Sequence, residues 1–204
     1  MLAVGHLAFG YLLAKICQKA LKTDLNLPLV FLLSVLPDID LLIPAFSHRS
    51  MTHSIILLTI LFAPVLLIYR KKGIPYFAAM AQHVLLGDYL VGGGVQIFWP
   101  INRGFYGYDL SLVSLVNILL EFIGFVIAVV VMFFSRDLHV LLFKPKKENF
   151  ILLLPCGAIF ASMLLFWSSS LPVALIVSHF VFLAIFVVAV ISTFKTFFSH
   201  FRQL

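Results

Sequence analysis

Apolar residues fall into seven long runs that are separated by short polar segments. The runs cover residues 2–20, 27–46, 53–69, 75–97, 110–134, 150–167 and 171–194. A helix needs about 20 apolar residues to cross roughly 30 Å of hydrocarbon, and each run approaches that length. The pattern therefore predicts an all-α protein, a polytopic transmembrane helix bundle of about seven spans.

Two of these runs are irregular. Pro37 interrupts the second run, and proline disrupts a helix because it lacks an N–H group and its ring clashes with the preceding turn. We expect a broken or re-entrant helix there, which a membrane protein tolerates where the chain lines a polar cavity. Three glycines at positions 92–94 lower the helix propensity at the end of the fourth run.

The composition agrees with the pattern. Hydrophobic residues make up 63% of the chain and charged residues 11%, whereas ordinary soluble domains are about 45–50% apolar and about 25% charged. This balance excludes a soluble globular domain and a disordered chain. We therefore assign residues 1–204 to a single transmembrane domain.

The net charge of +6 would by itself suggest a nucleic-acid partner, but the basic residues lie only between the apolar runs. If the runs alternate in direction, twelve of the 14 Lys and Arg fall on one side, and only Arg49 and Arg103 fall on the other. Cytoplasmic loops carry the Lys and Arg excess. We predict a multi-pass protein of the cell membrane, N-terminus outside and C-terminus cytoplasmic, with no nucleic-acid partner. The twelve are Lys15, Lys19, Lys22, Arg70, Lys71, Lys72, Arg136, Lys144, Lys146, Lys147, Lys195 and Arg202.

Seven histidines and aspartates lie in the outer halves of the first four runs or in the loop between them. They are His6, Asp38, Asp40, His48, His53, His83 and Asp88. An unpaired carboxylate inside the membrane costs roughly 2.5–3.5 kcal/mol, and a bound cation would relieve that cost. Imidazole and carboxylate are common ligands of zinc, manganese and iron. The set predicts a site for divalent metal, with two ions, and zinc is the favoured metal. Taken alone, His48 and Arg49 are also typical of an ordinary loop.

The spacing of these residues leaves their grouping open. Asp38 and Asp40 would point about 200° apart on a regular helix, and only the break at Pro37 lets them share an ion. His83 and Asp88 would be about 140° apart, so either they bind different ions or a helical bulge brings them together. Thr52 is a candidate N-cap of the third helix, whose N-terminus beside Arg49 suits an anion.

One polar pair and one histidine in the later runs have more than one interpretation. Asn117 and Glu121 are four residues apart and share a helix face, so they either line the same cavity or hydrogen-bond a neighbouring helix. His179 is more typical of a histidine between helices than of a metal ligand.

The order of motifs resembles that of the membrane-bound metal-dependent hydrolases, whose bacterial members include LexA-regulated, YdjM-like inner-membrane proteins. The resemblance rests on His6, the segments Pro37-Asp38-Ile39-Asp40 and His48-Arg49-Ser50-Met51-Thr52-His53-Ser54, and His83 through Asp88. It covers residues 1–110, the metal-site half, while residues 110–204 match only as additional apolar helices. It implies a membrane hydrolase whose metal ligands are the seven histidines and aspartates, and it supplies no substrate.

The chemistry of these residues favours a phosphate ester in a phospholipid or an isoprenoid-linked lipid. Metal ions beside Arg49 suit a phosphoryl oxyanion, and a site at the membrane boundary receives lipids headgroup first. We predict catalytic roles for Arg49, Asp40 and His53. An amide or acyl ester substrate is an alternative, whereas proteolysis lacks its His-Glu-x-x-His motif.

Two functions from other classes also fit the cluster. A metal or proton transporter would use intramembrane carboxylates and broken helices in the same way. A non-catalytic membrane protein would hold a structural metal, in a closed site without a position for water. The sequence does not predict an oligomeric state.

Overall fold

The computed structural model describes residues 1–43, 46–165 and 171–201, with the side chains of 199–201 excepted. Within these ranges the chain is helical, and pairing between extended segments is limited to two isolated bridges, Val91 to Leu110 and Val95 to Tyr106. The prediction of an all-α fold is confirmed. The helices are α1 Ala3–Leu21, α2 Leu27–Val35, α3 Ile55–Tyr69, α4 Ile74–Gln82, α5 Leu115–Phe134, α6 Asp137–Phe143, α7 Leu153–Leu165 and α8 Val173–Phe201.

Helix α1 lies at the centre of the fold and packs against α2, α4 and α5. Small residues permit this close packing, as in many membrane helix pairs. A Cβ atom at Gly10 would collide with the Ser34 side chain of α2, and one at Gly5 would lie 2.9 Å from Cγ of Glu121 in α5. The main apolar core then forms around α1, with Phe31 and Phe182 among its fully buried members.

Three helical stretches are long and apolar enough to cross a membrane, judged by length and composition among the described residues. They are Leu115–Phe134, Lys147–Leu165 and Val173–Phe198. The protein is therefore a helical membrane protein, while the predicted total of seven spans is not confirmed. The last predicted residues of the sixth run, 166 and 167, and the basic residue Arg202 lie outside the described residues.

The second run breaks where Pro37 predicted. The α-helix ends at Val35, and a 3₁₀ segment, Leu36–Leu42, carries the chain onward past both aspartates. A 3₁₀ segment has a different angular spacing from an α-helix, so the α-helical argument about Asp38 and Asp40 does not apply to it.

The fourth run departs from the predicted span at its end. After α4 the helix continues as a π-helical segment, His83–Asp88, and helical geometry ends at residue 90. The predicted end at residue 97 was wrong, because Gly92, Gly93 and Gly94 all adopt positive φ angles, 91°, 95° and 84°, in a region that glycine enters at little cost.

The start of α3 also differs from the prediction. Ser54, not Thr52, caps this helix, since its side chain accepts a hydrogen bond of 3.2 Å from the backbone N–H of Leu57. His53 lies one residue earlier, in a short 3₁₀ turn, Met51–His53. The hydroxyl of Thr52 is thereby free to take part in the site described below.

The two ends of α1 lie in different environments. In the C-terminal half of α1, Lys15 Nζ lies 2.9 Å from Oδ2 of Asp137, and the hydroxyl of Tyr11, at the middle of the helix, donates to the same oxygen at 2.7 Å. Asp137 begins α6, a short helix in the basic loop that the sequence pattern did not predict. His6 lies near the opposite end, so the histidine cluster and the basic loops are separated along α1.

Candidate metal centre

Four side chains from three parts of the chain converge at the end of the bundle away from the basic loops. Asp38 comes from the 3₁₀ segment after α2, His53 from the turn before α3, and His83 and Asp88 from the π-helical segment after α4. One ligand atom from each lies within 4.8 Å of all the others. His53, His83 and Asp88 are buried, while Asp38 is partly exposed. This buried group could hold a metal ion.

The polar atoms of this group are close together without satisfying one another. Nε2 of His53 lies 3.0 Å from Oδ2 of Asp88, and Nε2 of His83 lies 3.3 Å from Oδ1 of Asp38. Even so, both Nε2 atoms and Oδ2 of Asp88 are buried and make no hydrogen bond of acceptable geometry within the described residues. Buried polar atoms without partners are costly, and coordination to a cation would remove that cost, so the residues fit a metal ion.

The π-helical segment explains how His83 and Asp88 meet. A π-helix pairs residues five apart, and Nε2 of His83 lies 3.6 Å from Oδ2 of Asp88. Of the two alternatives that the spacing left open, the structure shows the bulge. The other ring nitrogen, Nδ1 of His83, donates to the backbone carbonyl of Ser34 at 2.8 Å. When the ring is neutral, this bond leaves Nε2 unprotonated, which is the form that binds metals.

Asp40 and Asp38 lie on opposite edges of the His53 ring. Nε2 of His53 is 3.5 Å from Oδ1 of Asp38, whereas Nδ1 is 3.3 Å from Oδ2 of Asp40. Nδ1 also forms a 3.0 Å hydrogen bond with the hydroxyl of Thr52, which in turn donates to Asp40 at 2.6 Å. The two aspartates therefore do not face the same nitrogen.

Asp40 accepts hydrogen bonds from several further donors. The backbone N–H of Arg49 donates to Oδ2 at 3.2 Å, and Nδ1 of His48 donates to Oδ1 at 3.0 Å. Asp40, His48 and His53 form a second group that could hold a metal ion. The same contacts also suit a carboxylate that orients a metal-binding histidine, an arrangement common behind metal sites.

His6 lies beside the buried group and is not one of its four members. Its ring stacks on that of His83, with centroids 3.6 Å apart and planes at 11°, and its Nε2 lies 3.5 Å from Oδ1 of Asp88. Both His6 nitrogens are buried without a hydrogen-bond partner among the described residues. The packing depends on Gly87, since a Cβ atom there would lie 2.6 Å from Nδ1 of His6. The role of His6 as a ligand stays a prediction.

The Arg49 side chain points into the centre. Its Nη2 lies 3.4 Å from Oδ1 of Asp88, and its Nη1 donates to the carbonyl of Gly92. A Cβ atom at Gly92 would lie 2.8 Å from Cζ of Arg49, so only glycine accommodates the guanidinium at this point. Sequence reasoning missed Gly92 as a site residue, although the run of three glycines was the available signal. Oδ1 of Asp88 also lies 3.0 Å from the amino group of Met1.

The polar residues of the later helices stabilise helix packing. Oε1 of Glu121 accepts from the backbone N–H of Leu2 at 3.0 Å and from Asn117 at 2.8 Å. Through Glu121 the pair therefore bonds the start of a neighbouring helix, which was one of its two interpretations. His179 donates from Nδ1 to the carbonyl of Leu175 at 2.7 Å, and its Nε2 lies 3.4 Å from the Ser162 hydroxyl of α7, as expected of a histidine between helices.

Comparison with known proteins identifies the family. The chain matches the family described as YdjM inner membrane protein over residues 1–197. No curated protein and no solved structure matches the chain at a significant level. The match extends well beyond the metal-site half on which the motif resemblance rests, and includes the apolar helices of the second half. The chain therefore belongs to the YdjM inner membrane protein family.

Proposed function

We propose that this protein is an integral-membrane, metal-dependent hydrolase that cleaves a phosphate ester in a lipid or lipid-linked substrate. The observation that carries the proposal is the convergence of four side chains that could hold a metal ion, most of them buried, directly beside the guanidinium of Arg49. Carboxylates and imidazoles would hold the cation, and the arginine offers a planar set of donors that matches phosphate oxygens.

Asp38, His53, His83 and Asp88 are the residues that would hold the ion. Two imidazole nitrogens and two carboxylates suit zinc, our favoured metal, and also manganese or iron. When bound, such an ion would supply Lewis-acid stabilisation of a developing oxyanion and activation of water.

The surrounding residues have separate tasks. Asp38, His53, His83 and Asp88 are together called the metal group. Arg49 binds the phosphoryl oxygens, since its guanidinium lies at the edge of the metal group and is held there by Asp88 and the Gly92 carbonyl. Asp40 and Thr52 hold the Nδ1 edge of His53, which keeps Nε2 directed to the metal group.

One ion in the buried group is better supported than two. Asp40 already accepts hydrogen bonds from Thr52 and from the Arg49 backbone. In addition, His53 belongs to both groups, and a neutral imidazole has only one nitrogen free to bind a metal. The sequence also predicts a second ion, without assigning its ligands. If Asp40, His48 and His53 were to bind it, an imidazolate bridge or a rearrangement of these contacts would be required.

The seven-span, N-outside arrangement is part of the proposal. The metal group lies at one end of α1, and the contacts of Lys15 with Asp137 lie towards the other. This separation supports placing the group on the outer side, opposite the basic loops, where a lipid headgroup of the outer leaflet would reach it.

A transporter is the weaker candidate. It would need a polar route from the metal group to the other side of the membrane, but along α1 the side chains of Leu7, Ala8 and Tyr11 are fully buried in the apolar core. A structural metal site differs by being closed, whereas Asp38 is partly exposed.

The test uses the purified full-length protein in lipid nanodiscs. Metal content is measured after loading with zinc, manganese or iron, and phosphate release is measured from a panel of phospholipids and isoprenoid phosphates. We expect bound metal, metal-dependent release from a lipid phosphate, and loss of both in His83→Ala and Asp88→Asn. The matched controls are His139→Ala and Asp24→Asn, which alter exposed residues away from the group. Metal binding without release from any lipid phosphate would overturn the hydrolase, and absence of metal would overturn the site.

A further inference from the structure

A cavity of about 360 Å³ opens directly beside the metal group. Its volume falls in the roughly 300–1,000 Å³ range of small-molecule sites. One end of its wall is polar and is formed by Asp38, His48, Arg49 and Asp88. The rest is mostly apolar, with Ser162 of α7 as a polar exception, so the cavity is chemically divided into a short charged end and a longer hydrocarbon part.

The apolar part lies between two helices. Leu32 and Val35 of α2 form one wall, and Leu154, Gly157 and Ala161 of α7 form the other. These α7 residues recur at three- and four-residue spacing and so share one helix face. The lining residues of α7 extend from Leu153 to Leu165, which is a distance of about 18 Å at the helical rise.

Small residues on α7 create the open space. A Cβ atom added at Gly157 would meet no atom within 4 Å, so the helix presents a depression where a larger side chain would fill the cavity. The rim is also apolar: Leu42 and Leu154 are 76% and 63% exposed. In a membrane protein such a rim faces lipid, which allows entry from the bilayer.

We propose that this cavity binds a single aliphatic chain of the substrate, and that the substrate is therefore a lipid phosphate whose headgroup lies at Arg49. The placement of the headgroup rests on the proposed function, whereas the placement of the aliphatic chain rests on the apolar cavity alone. The charges are complementary, because Arg49 provides the cationic contact for a phosphate while α2 and α7 provide an uncharged path for hydrocarbon. The hydrocarbon part of the cavity, whose lining is mainly aliphatic, is poorly suited to ordered water.

Binding is tested independently of turnover with non-hydrolysable probes. The metal-loaded protein in nanodiscs is incubated with butyl, octyl, dodecyl and hexadecyl phosphonate, and with farnesyl phosphonate for a branched chain. Each competes with a hexadecyl phosphonate that carries a photoreactive diazirine at its chain end. Labelled peptides are then mapped by mass spectrometry. We expect labelling of α7 residues and competition that strengthens with chain length, while inorganic phosphate competes weakly at every concentration.

Gly157→Trp fills the cavity, and Leu164→Trp is its matched control. Leu164 is on the same helix, 60% exposed, and does not line the cavity. Gly157→Trp should lower labelling of α7 roughly tenfold or more, because losing even a few buried methylene contacts has an effect of that size. Metal content should remain that of the native protein. Gly157→Leu, a smaller change in the same open space, should give an intermediate loss.

The outcomes separate this inference from the proposed function. The cavity is supported if longer competitors reduce the labelling of α7 more strongly and Gly157→Trp removes that labelling, even if no lipid phosphate is hydrolysed. The cavity proposal is overturned if all chain lengths compete equally, or if Gly157→Trp leaves the labelling unchanged while metal is retained, even if hydrolysis is observed. Stronger competition by farnesyl than by dodecyl phosphonate would support the cavity and assign it to isoprenoid chains.

Discussion

Oδ2 of Asp40 lies 3.3 Å from Nδ1 of His53, on the edge of the imidazole that faces away from Asp38 and Asp88. The hydroxyl of Thr52 bonds both residues. This relationship makes Asp40 and Thr52 positioning residues for His53 in the proposed centre, and it distinguishes Asp40 from the four residues that would hold the ion.

Asp40→Asn should weaken metal binding without abolishing it. Losses of groups that orient a metal ligand typically reduce affinity about 10–100-fold, whereas His53→Ala removes a ligand and should reduce it further. The measurement is zinc affinity by competition with a chelating dye. Thr52→Val should lower the zinc affinity as Asp40→Asn does. Thr52→Ser should keep the native zinc affinity, because serine retains the hydroxyl. If Asp40→Asn lowers the bound zinc per protein from two to one, Asp40 is a ligand of a second ion instead.

Gly87→Ala should disrupt the metal centre although it adds only one methyl group. The new Cβ atom would lie 2.6 Å from Nδ1 of His6, and the His6 ring could only move by breaking its stacking on His83. The control is Gly157→Ala, where a Cβ atom meets nothing within 4 Å. In a helix, Gly→Ala in open space is stabilising by roughly 0.5–1 kcal/mol.

Both variants are compared by thermal unfolding and by metal content. We expect Gly87→Ala to lose bound metal and to unfold at a lower temperature, while Gly157→Ala unfolds at the same or a higher temperature with its metal retained. Native metal content in Gly87→Ala would show that the position of His6 has no influence on the centre.

Arg49→Lys should retain metal and lose most turnover. Lysine keeps the charge but lacks the planar set of donors that binds two phosphate oxygens together, and it cannot contact Asp88 and the Gly92 carbonyl in the same way. Removal of a well-placed donor to a transition-state oxyanion costs on the order of 100-fold in rate constant. The measurement is the turnover of the metal-loaded variant on a lipid phosphate.

The control for this variant is Arg103→Lys, at the other arginine that is predicted to lie on the outer side, which is exposed. It should keep native turnover. If Arg49→Lys were equally active, the guanidinium would serve only to neutralise Asp88 and hold the loop at Gly92, and the proposed phosphate contact would be wrong.

The topology can be tested with single cysteines. After Cys17 and Cys156 are replaced by serine, cysteines at Ser47 and Asn102, which are both exposed, should react with a membrane-impermeant thiol reagent in intact cells. A cysteine at Lys71, also exposed, should react only after the cells are opened. The reverse labelling pattern would place the metal group on the cytoplasmic side.

The sequence alone indicated the helical class and the types of residue in the site. Apolar runs report directly on helices, because the need to satisfy every backbone group in lipid leaves few other structures. Pro37 marked the end of α2 for an equally local reason, its missing N–H. The histidines and aspartates were conspicuous because ionisable groups are rare in apolar runs, and their order carried the family resemblance that the family match confirms.

Which of these residues meet was decided only by the tertiary structure. Spacing left the grouping of His83 with Asp88 open, since it depends on a π-helical segment that no local pattern predicts. Spacing could not separate Asp38 from Asp40 either, because the edge of His53 that each faces follows from the 3₁₀ geometry and from how the 3₁₀ segment packs against the turn Met51–His53. The contact of Arg49 with Gly92 joins residues more than forty positions apart. Hydrophobic periodicity describes one helix at a time, whereas a metal centre is built where the ends of several antiparallel helices come together.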